Sequence, residues 1–403
     1  MPLSKLQFKP GINREGTNYS NEGGWFNGDK IRFRAGYAER IGGWTRVSNT
    51  QVTGTPRKIF DFVTLSSQNL LFIGTEQKVF LENAGTFSDI TPIRSTVSLG
   101  TNPINTTGGA GSGVVTVTTQ AAHGAITGDF VTLASLTATD GITTGQLNKE
   151  HTIASVPSTT TFTIDTGGAA SSGGTAGGGS SGTAAFQINI GLNTTVLGAG
   201  WGAGTWGRFT WGSAAGSLSG QTLRLFFADN FGEDLLFNIA DGSIFYWDAT
   251  NGTSTRAVAL TSLTGASDVP TVARKILVSD VDRHVIVFGT NPIGSATLDP
   301  LLIRFGSQES LTDFTPTATN TAGDLRLSKG SEIITAIQTS RQILVFTDQS
   351  LYSMQFIGAP FTFGISLLGD NIRIAGPNTA LAVNDIVFWM GQENFYAYDG
   401  RIQ

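Results

Sequence analysis

Short apolar runs separated by polar turns recur along this chain and predict a repeated β-hairpin. Each copy has an apolar run, three or four polar residues, and a second run that alternates or carries aromatic residues, which is the pattern of two antiparallel strands joined by a tight turn. Four copies resemble one another closely: 70-LLFIGTEQKVFLEN-83, 235-LLFNIADGSIFYWD-248, 343-ILVFTDQSLYSMQF-356 and 386-IVFWMGQENFYAYD-399. A looser fifth copy joins 285-VIVFGT-290 to 301-LLIRFG-306.

A further apolar alternating run precedes every hairpin, so the repeated unit has at least three strands. These runs are 57-RKIFDFVTL-65, 223-LRLFFAD-229, 273-ARKILVSDV-281, 332-EIITAIQ-338 and 380-ALAVN-384. A small antiparallel sheet that recurs at roughly 40 to 50 residues is typical of a β-propeller, whose blades bury their faces only against one another. We therefore predict an all-β fold with a propeller-like core of repeated antiparallel blades. The alternative is a sandwich of unrelated hairpins.

The composition changes between residues 98 and 186, which predicts an inserted domain. This span has only five charged residues, Asp129, Asp140, Lys149, Glu150 and Asp165, and is rich in Thr, Ser, Gly and Ala. Glycine-rich stretches at 107–113 and 167–182 read as flexible linkers. Strand-like runs lie between them, at 114–119, 130–135 and 160–165, and favour a small β-barrel or sandwich inserted into a propeller loop.

Three regions follow from this pattern. Residues 1–97 are expected to form an N-terminal arm and the first blade or blades, residues 98–186 the inserted β domain, and residues 187–403 the remaining blades. The sequence printed here stops directly after a hairpin, at 396-YAYDGRIQ-403, where a further strand is expected. We therefore expect these residues to be part of a longer protein.

Basic residues cluster near the N-terminus, in 29-DKIRFRAGYAERIGGWTR-46. Lys30, Arg32 and Arg34 alternate with Ile31 and Phe33, which predicts a strand with one face towards the core and one cationic face outward. The cationic face could contact an acidic partner or the phosphates of DNA. It could equally be a solvated strand face that Asp29 and Glu39 partly neutralise.

Three of the seven tryptophans stand five residues apart in the glycine-rich stretch 198-GAGWGAGTWGRFTWG-212. This odd spacing places Trp201, Trp206 and Trp211 alternately on opposite faces of an extended chain, so one surface cannot bury all three. We expect Trp206 to bind within its own blade and Trp201 or Trp211 to contact an adjacent subunit, where an aromatic anchor contributes strongly to affinity. The alternative is that all three wrap around blade edges within one chain.

Catalytic and cofactor signatures are missing from the sequence. There are no cysteines, the three histidines His123, His151 and His284 are scattered, and neither a metal-spaced histidine pair nor a nucleophile elbow occurs. We therefore expect no enzyme activity, cofactor or metal. A net charge of −5 over 403 residues argues against binding DNA by neutralising its phosphates, and only 14% of residues are charged, which suggests a surface covered by neighbouring subunits.

Two segments resemble the tail nozzle or hub proteins of short-tailed bacteriophages, which are also called packaged-DNA stabilisation proteins: 9-KPGINREGTNYSNEGGWFNGDKIRFRAGYAERIGGW-44, and the run 308–337 with the hairpin that follows it. The inserted segment, with HGAITGDFVTL and QLNKEHTIASV, is similar to small β modules of phage proteins. Together they cover most of the chain. The resemblance lies in whole segments and includes no catalytic fingerprint.

The resemblance implies a virion protein that is assembled in the host cytoplasm. It implies a propeller-based subunit in a homo-oligomeric ring, with six copies expected, below the portal and its adaptor protein. Such a ring continues the DNA channel, lets double-stranded DNA pass without reading its sequence, contacts tail fibre, spike or needle proteins, and retains the packaged genome until infection. The alternative is a receptor-binding or carbohydrate-active propeller of a tail spike, which would need two carboxylates facing each other across a sugar groove.

Overall fold

The structure, a computed structural model, describes residues 9–17, 19–43, 45–46, 48–195, 223–358 and 361–403. The chain divides into two units, residues 1–49 and 50–403. The first unit contains a hairpin of strands β1 (Ile31–Arg34) and β2 (Tyr37–Arg40). Ala35 and Gly36 at its turn both have positive φ, as a two-residue turn between twisted strands requires.

The second unit begins with a four-stranded antiparallel sheet, blade 1, in which consecutive strands pair. Its strands are β3 (Pro56–Val63), β4 (Asn69–Thr75), β5 (Val79–Asn83) and β6 (Thr86–Asp89). The β4–β5 pair is the hairpin that the first repeat predicts.

The inserted region forms an eight-stranded sheet directly after blade 1. Its strands are β7 (Ile93–Gly100), β8 (Ile104–Asn105), β9 (Val114–Thr118), β10 (Phe130–Ala134), β11 (Glu150–Ser158), β12 (Thr161–Asp165), β13 (Ala176–Gly177) and β14 (Gly182–Gln187), with one short helix, α1 (Thr144–Leu147). They pair in the order β13-β8-β9-β12-β11-β10-β14-β7. Seven of the eight strands contribute buried apolar side chains to one core, so the sheet curls around that core.

The glycine-rich stretches beside this sheet are ordered, so the prediction of flexible linkers is wrong. The backbone N–H of Gly111 donates to the carbonyl of Ala170 at 2.7 Å, and that of Ala170 donates to the carbonyl of Ser112 at 3.0 Å. A Cβ placed on Gly173 would stand 2.9 Å from the Cα of Gly109. The two stretches lie against each other more closely than side chains permit, which explains their glycine content.

Four more blades follow the insertion, each an antiparallel meander. Blade 2 has β15 (Phe226–Phe231), β16 (Asp234–Ile239), β17 (Ile244–Trp247) and β18 (Val258–Ala259); blade 3 has β19 (Ala273–Val278), β20 (Val285–Thr290), β21 (Asp299–Phe305) and β22 (Gly323–Arg326). Blade 4 has β23 (Ile333–Gln338), β24 (Ile343–Thr347), β25 (Ser350–Gly358) and β26 (Thr362–Asp370); blade 5 has β27 (Ala380–Val383), β28 (Ile386–Met390) and β29 (Phe395–Tyr398). Two short 3₁₀ turns lie at Ala249–Asn251 and Leu260–Ser262.

The five blades are arranged like a five-bladed β-propeller, and the predicted all-β fold class is confirmed. The first strands of successive blades contact one another, β3 with β15, β15 with β19, β19 with β23 and β23 with β27. Each predicted alternating run forms one of these first strands, and each predicted hairpin forms the two strands that follow it. Among the described residues, no helix is long and apolar enough to cross a membrane.

Separate apolar cores join neighbouring blades. On β16, Phe237 faces the core between blades 1 and 2, while the adjacent Leu236 faces the core between blades 2 and 3, because successive strand residues point to opposite faces. The same division is made by Val287 and Phe288 on β20 and by Val345 and Phe346 on β24. Within the described ranges, no apolar core joins blade 5 to blade 1.

A buried threonine closes the corresponding hairpin turn in blades 1 and 4. The hydroxyl of Thr347 accepts from the backbone N–H of Ser350 at 2.8 Å and donates to the carbonyl of the same residue at 3.1 Å. Thr75 makes the same pair of bonds with Lys78, at 2.8 and 2.9 Å. In each turn, one hydroxyl therefore bonds both the N–H and the carbonyl of a buried residue.

Replacing Thr347 with Val is expected to lower the free energy of unfolding by about 1–3 kcal/mol, because it preserves shape but leaves the buried N–H and carbonyl of Ser350 without that partner. Urea unfolding followed by circular dichroism measures the change. Thr347→Ser, which retains the hydroxyl, is the matched control and should lose less. A smaller loss in Thr347→Val than in Thr347→Ser would show that the methyl group, and not the hydrogen bonds, stabilises the turn.

Candidate functional site

A cavity of about 490 Å³ lies where the first strands of all five blades meet. Each blade contributes one short stretch to its wall: residues 57–60, 227–229, 275–277, 336–338, and 377–378 with 380–381. We call it the axial cavity. Because its wall is assembled from five separate strands, its shape depends on the assembled propeller and on no single blade.

Lys275 is the most firmly held cation of the axial cavity. Its Nζ donates to the hydroxyl of Thr335 at 2.9 Å and to the carbonyl of Ala336 at 2.6 Å, and so connects blade 3 to blade 4. The same Nζ lies 5.2 Å from the ring centroid of Phe227, within the range of a cation–π contact. These contacts fix the position of the ammonium group in the wall.

Two ionisable groups in the cavity have strongly shifted pKa values. Burial lowers the pKa of Lys275 from 10.5 to about 7, the charge of Lys58 adds to the effect, and Asp229 opposes it. Burial also raises the pKa of Asp229 from 3.8 to about 6, although the backbone N–H groups of Val278 and Asn230 donate to its carboxylate. Both shifts arise because water solvates charged groups poorly in the wall of the axial cavity.

Several polar side chains of the cavity wall lack partners. Within the described part of the chain, Lys58, Gln338 and Asn378 have no side-chain hydrogen bond or ion pair. Arg57 donates through Nη2 to the carbonyl of Asn193 at 2.6 Å, but its Nε is buried and has no hydrogen-bond partner among those residues. Buried donors are nearly always satisfied in folded proteins, so the unpaired Nε of Arg57 is unusual, whereas the side chains of Lys58 and Gln338 are partly buried and that of Asn378 is exposed.

Blade 5 leaves one of its two faces exposed to solvent. Leu381 lies opposite Phe388, and Met390 lies opposite Phe395, so these four side chains share one face of the sheet. Leu381 is 64% exposed, Phe388 47% and Phe395 81%. We call this surface the open face of blade 5. The opposite face, which includes Trp389, is buried against blade 4.

The basic hairpin forms the strand that the alternation predicts. Ile31 and Phe33 are partly buried, whereas Lys30, Arg32 and Arg34 are exposed. The Nε of Arg32 lies 2.5 Å from a carboxylate oxygen of Glu39 across the hairpin, which realises part of the predicted charge matching. Of the ion pairs between described residues, none involves Lys30 or Arg34. Whether these cations contact a partner stays a prediction.

The predicted tryptophan contacts cannot be placed. Trp201, Trp206 and Trp211 all lie outside the described residues, in the span 196–222. Their division into one intrachain and one or two intersubunit contacts stays a prediction.

An ionic cluster connects the inserted domain to blades 1 and 2. Lys78 of the β4–β5 turn lies 2.9 Å from Asp89 of blade 1 and 2.5 Å from Glu150 of the insertion. Arg256, after β17, approaches the same two carboxylates at 3.3 and 3.5 Å. The side chain of Lys78 is only 8% exposed and also lies over the ring of Phe130 at 4.5 Å.

The histidines occupy separate structural positions. His123 stacks on Phe186 in the core of the insertion, His151 contacts the carbonyl of Leu147, and His284 contacts the hydroxyl of Thr321. In the portion of the chain that the structure describes, no three His, Cys, Asp or Glu side chains converge to hold a metal ion.

The axial cations were missed by the sequence analysis, although a signal for them exists. The tripeptide Arg-Lys-Ile occurs in the first strand of blade 1, at residues 57–59, and again in the first strand of blade 3, at residues 274–276. Both lysines line the axial cavity. A lysine repeated at the same place in the first strands of two blades could have indicated a common charged surface.

Comparison with known proteins identifies no relatives by sequence. No protein-family model matches the chain, and no curated protein matches it. Among solved structures, the chain is similar to the phage phi92 endosialidase, with 11% sequence identity over 83% of this chain and 52% of that chain and a TM-score of 0.25. The chain thus spans about half the length of that protein. A similarity this low assigns neither a family nor an activity to this chain.

Proposed function

We propose that this chain is a structural subunit of a bacteriophage tail, a component of the nozzle or hub ring below the portal and its adaptor. Copies of the chain surround the DNA channel, extend it, and help to retain packaged DNA until ejection. The resemblance of the segment 9–44 to such proteins supports this proposal, as does the propeller with an inserted β domain.

The open face of blade 5 is the observation that carries the proposed assembly. In the described part of the chain, blades 1 to 4 each have an apolar face covered by the next blade, as Phe346 of blade 4 is covered by Trp389 of blade 5. A contiguous apolar surface on a folded protein marks an interaction site more often than a solvated surface. A second copy of the chain is the partner that a ring requires, and we assign the open face to that contact.

Native mass spectrometry and electron microscopy of the purified chain test this assembly. We expect rings, and we expect a Phe388→Ser, Phe395→Ser double variant to weaken association about 30-fold or more, because the loss of a buried aromatic anchor costs at least about 2 kcal/mol. Val281→Ser removes an exposed apolar residue elsewhere and is the control.

Two results would contradict the proposal. A wild-type chain that stays monomeric at high concentration, with and without the portal adaptor, would exclude the ring. Release of reducing ends from host polysaccharide by the purified chain would support the carbohydrate-active tail spike instead.

A further inference from the structure

The axial cavity contains more positive than negative groups. Arg57, Lys58 and Lys275 line it, whereas Asp229 is the one carboxylate in its described wall. The two oxygens of Asp229 already accept hydrogen bonds from the backbone N–H groups of Val278 at 2.8 Å and Asn230 at 2.9 Å. The carboxylate is thus held by the backbone, and no ion pair joins it to either lysine at 4.0 Å or less.

The free donors of the cavity come from several blades and converge on one space. Lys58 comes from blade 1, Gln338 from blade 4, and Asn378 from the segment before blade 5. Lys275 is held in the wall between Thr335, Ala336 and Phe227, and therefore needs little reordering to meet a ligand. Charged and amide donors around a cavity are the groups that bind carboxylate and phosphate oxygens.

The remaining wall is apolar. Phe60, Phe227 and Ile337 are among the residues that line it. A volume of about 490 Å³ falls within the usual range of small-molecule sites, roughly 300–1,000 Å³. The space is thus larger than a bare inorganic ion needs, and it offers contacts for the carbon skeleton of a ligand.

We propose that the axial cavity binds a small organic anion that carries a carboxylate or phosphate group, with the anionic group between Lys58 and Lys275. The anion supplies the negative charge that these two ammonium groups lack. Burial and the charge of Lys58 lower the pKa of Lys275 more than Asp229 raises it, so an added anion would stabilise the charged form of Lys275. This site is independent of the proposed ring, because every residue that forms it belongs to one chain.

Isothermal titration calorimetry of the purified chain with citrate and with inorganic phosphate, at constant ionic strength set with sodium chloride, tests the proposal. We expect citrate to bind with a Kd below about 1 mM and phosphate to bind more weakly, since phosphate makes no apolar contact. Lys58→Met should weaken citrate binding at least about tenfold, because it removes one charge-assisted hydrogen bond. Lys58→Arg, which retains the charge, should keep most of the affinity.

Lys149→Met is the matched control, since Lys149 is an exposed lysine of the inserted domain and its loss changes the net charge equally. It should bind citrate as the wild type does. Gln338→Leu changes a cavity residue of blade 4 and should also weaken citrate binding. It tests the site if Lys58→Met does not fold. Absence of binding to both anions by the wild type, or equal affinities in wild type and Lys58→Met, would overturn the site.

Discussion

Replacing Phe237 with Ala is expected to lower the free energy of unfolding by about 3–5 kcal/mol, the largest effect of any single change considered. Phe237 is fully buried between blades 1 and 2. Its ring centroid lies 5.1 Å from that of Phe72 in blade 1 and 5.4 Å from that of Phe245 in blade 2. Alanine would leave a cavity at the contact that joins the two blades on either side of the insertion.

Chemical denaturation followed by tryptophan fluorescence and circular dichroism measures this loss. Phe395→Ala removes the same side chain from the open face of blade 5, where it is 81% exposed. That control should change the stability of the monomer by less than about 1 kcal/mol. Similar losses of unfolding free energy in both variants would mean that the open face is buried within the monomer. The open face would then no longer support a contact between subunits.

Replacing Lys78 with Met is expected to lower the free energy of unfolding by about 3 kcal/mol at neutral pH. Removal of one partner from a largely buried ionic cluster leaves the other charges poorly compensated. Of the described cations, only Arg256, at 3.3 and 3.5 Å, would remain beside Asp89 and Glu150. Lys149→Met, at an exposed lysine next to Glu150 in the sequence, is the control and should have little effect.

The same variant should change the response to acid. Burial opposes the ionisation of Asp89, but hydrogen bonds from Thr91 and Lys78 and the charge of Arg256 outweigh it, so the pKa of Asp89 lies below its usual 3.8. A carboxyl group with a lowered folded-state pKa stabilises the protein above the unfolded-state pKa, and this contribution is lost as the pH falls through the folded value. Without Lys78 the pKa should rise towards 3.8.

Urea unfolding at several pH values checks this response. The wild type should lose the contribution of Asp89 as the pH falls below about 4, and Lys78→Met should lose less over the same pH range. An equal or steeper loss in the variant would show that Lys78 does not stabilise the ionised form of Asp89.

The strands of the propeller could be predicted because alternation at a period of two is a local property. The run 57–65 and the hairpin 70–83 each form the strands expected of them. The structure of the inserted domain was harder to predict from the sequence, because its glycine-rich stretches have no pattern of apolar and polar side chains. Their order comes from close contact between distant backbones, as Gly109 and Gly173 show, and composition alone does not reveal such a contact.

The candidate sites were less predictable, because they depend on contacts between distant parts of the chain. Lys58 and Lys275 meet only when blades 1 and 3 surround one axis. The run 386-IVFWM-390 is apolar at every position, which indicates burial on both faces, yet Phe388 and Met390 are exposed. The sequence indicates that both faces of this strand are buried, but it does not show which part of the chain or which other molecule buries the second face.

The series of separate cores between neighbouring blades has a consequence for folding during synthesis. Each of blades 3 to 5 can pack against the preceding blade as soon as it has emerged from the ribosome itself, because the preceding blade is already outside. It does not wait for the rest of the chain. Blade 1 is different, because the insertion separates it from blade 2 and delays their contact. A nascent chain would thus expose the aromatic side chains of blade 1 until blade 2 is made, and the compact insertion shortens the distance that the two blades must then close.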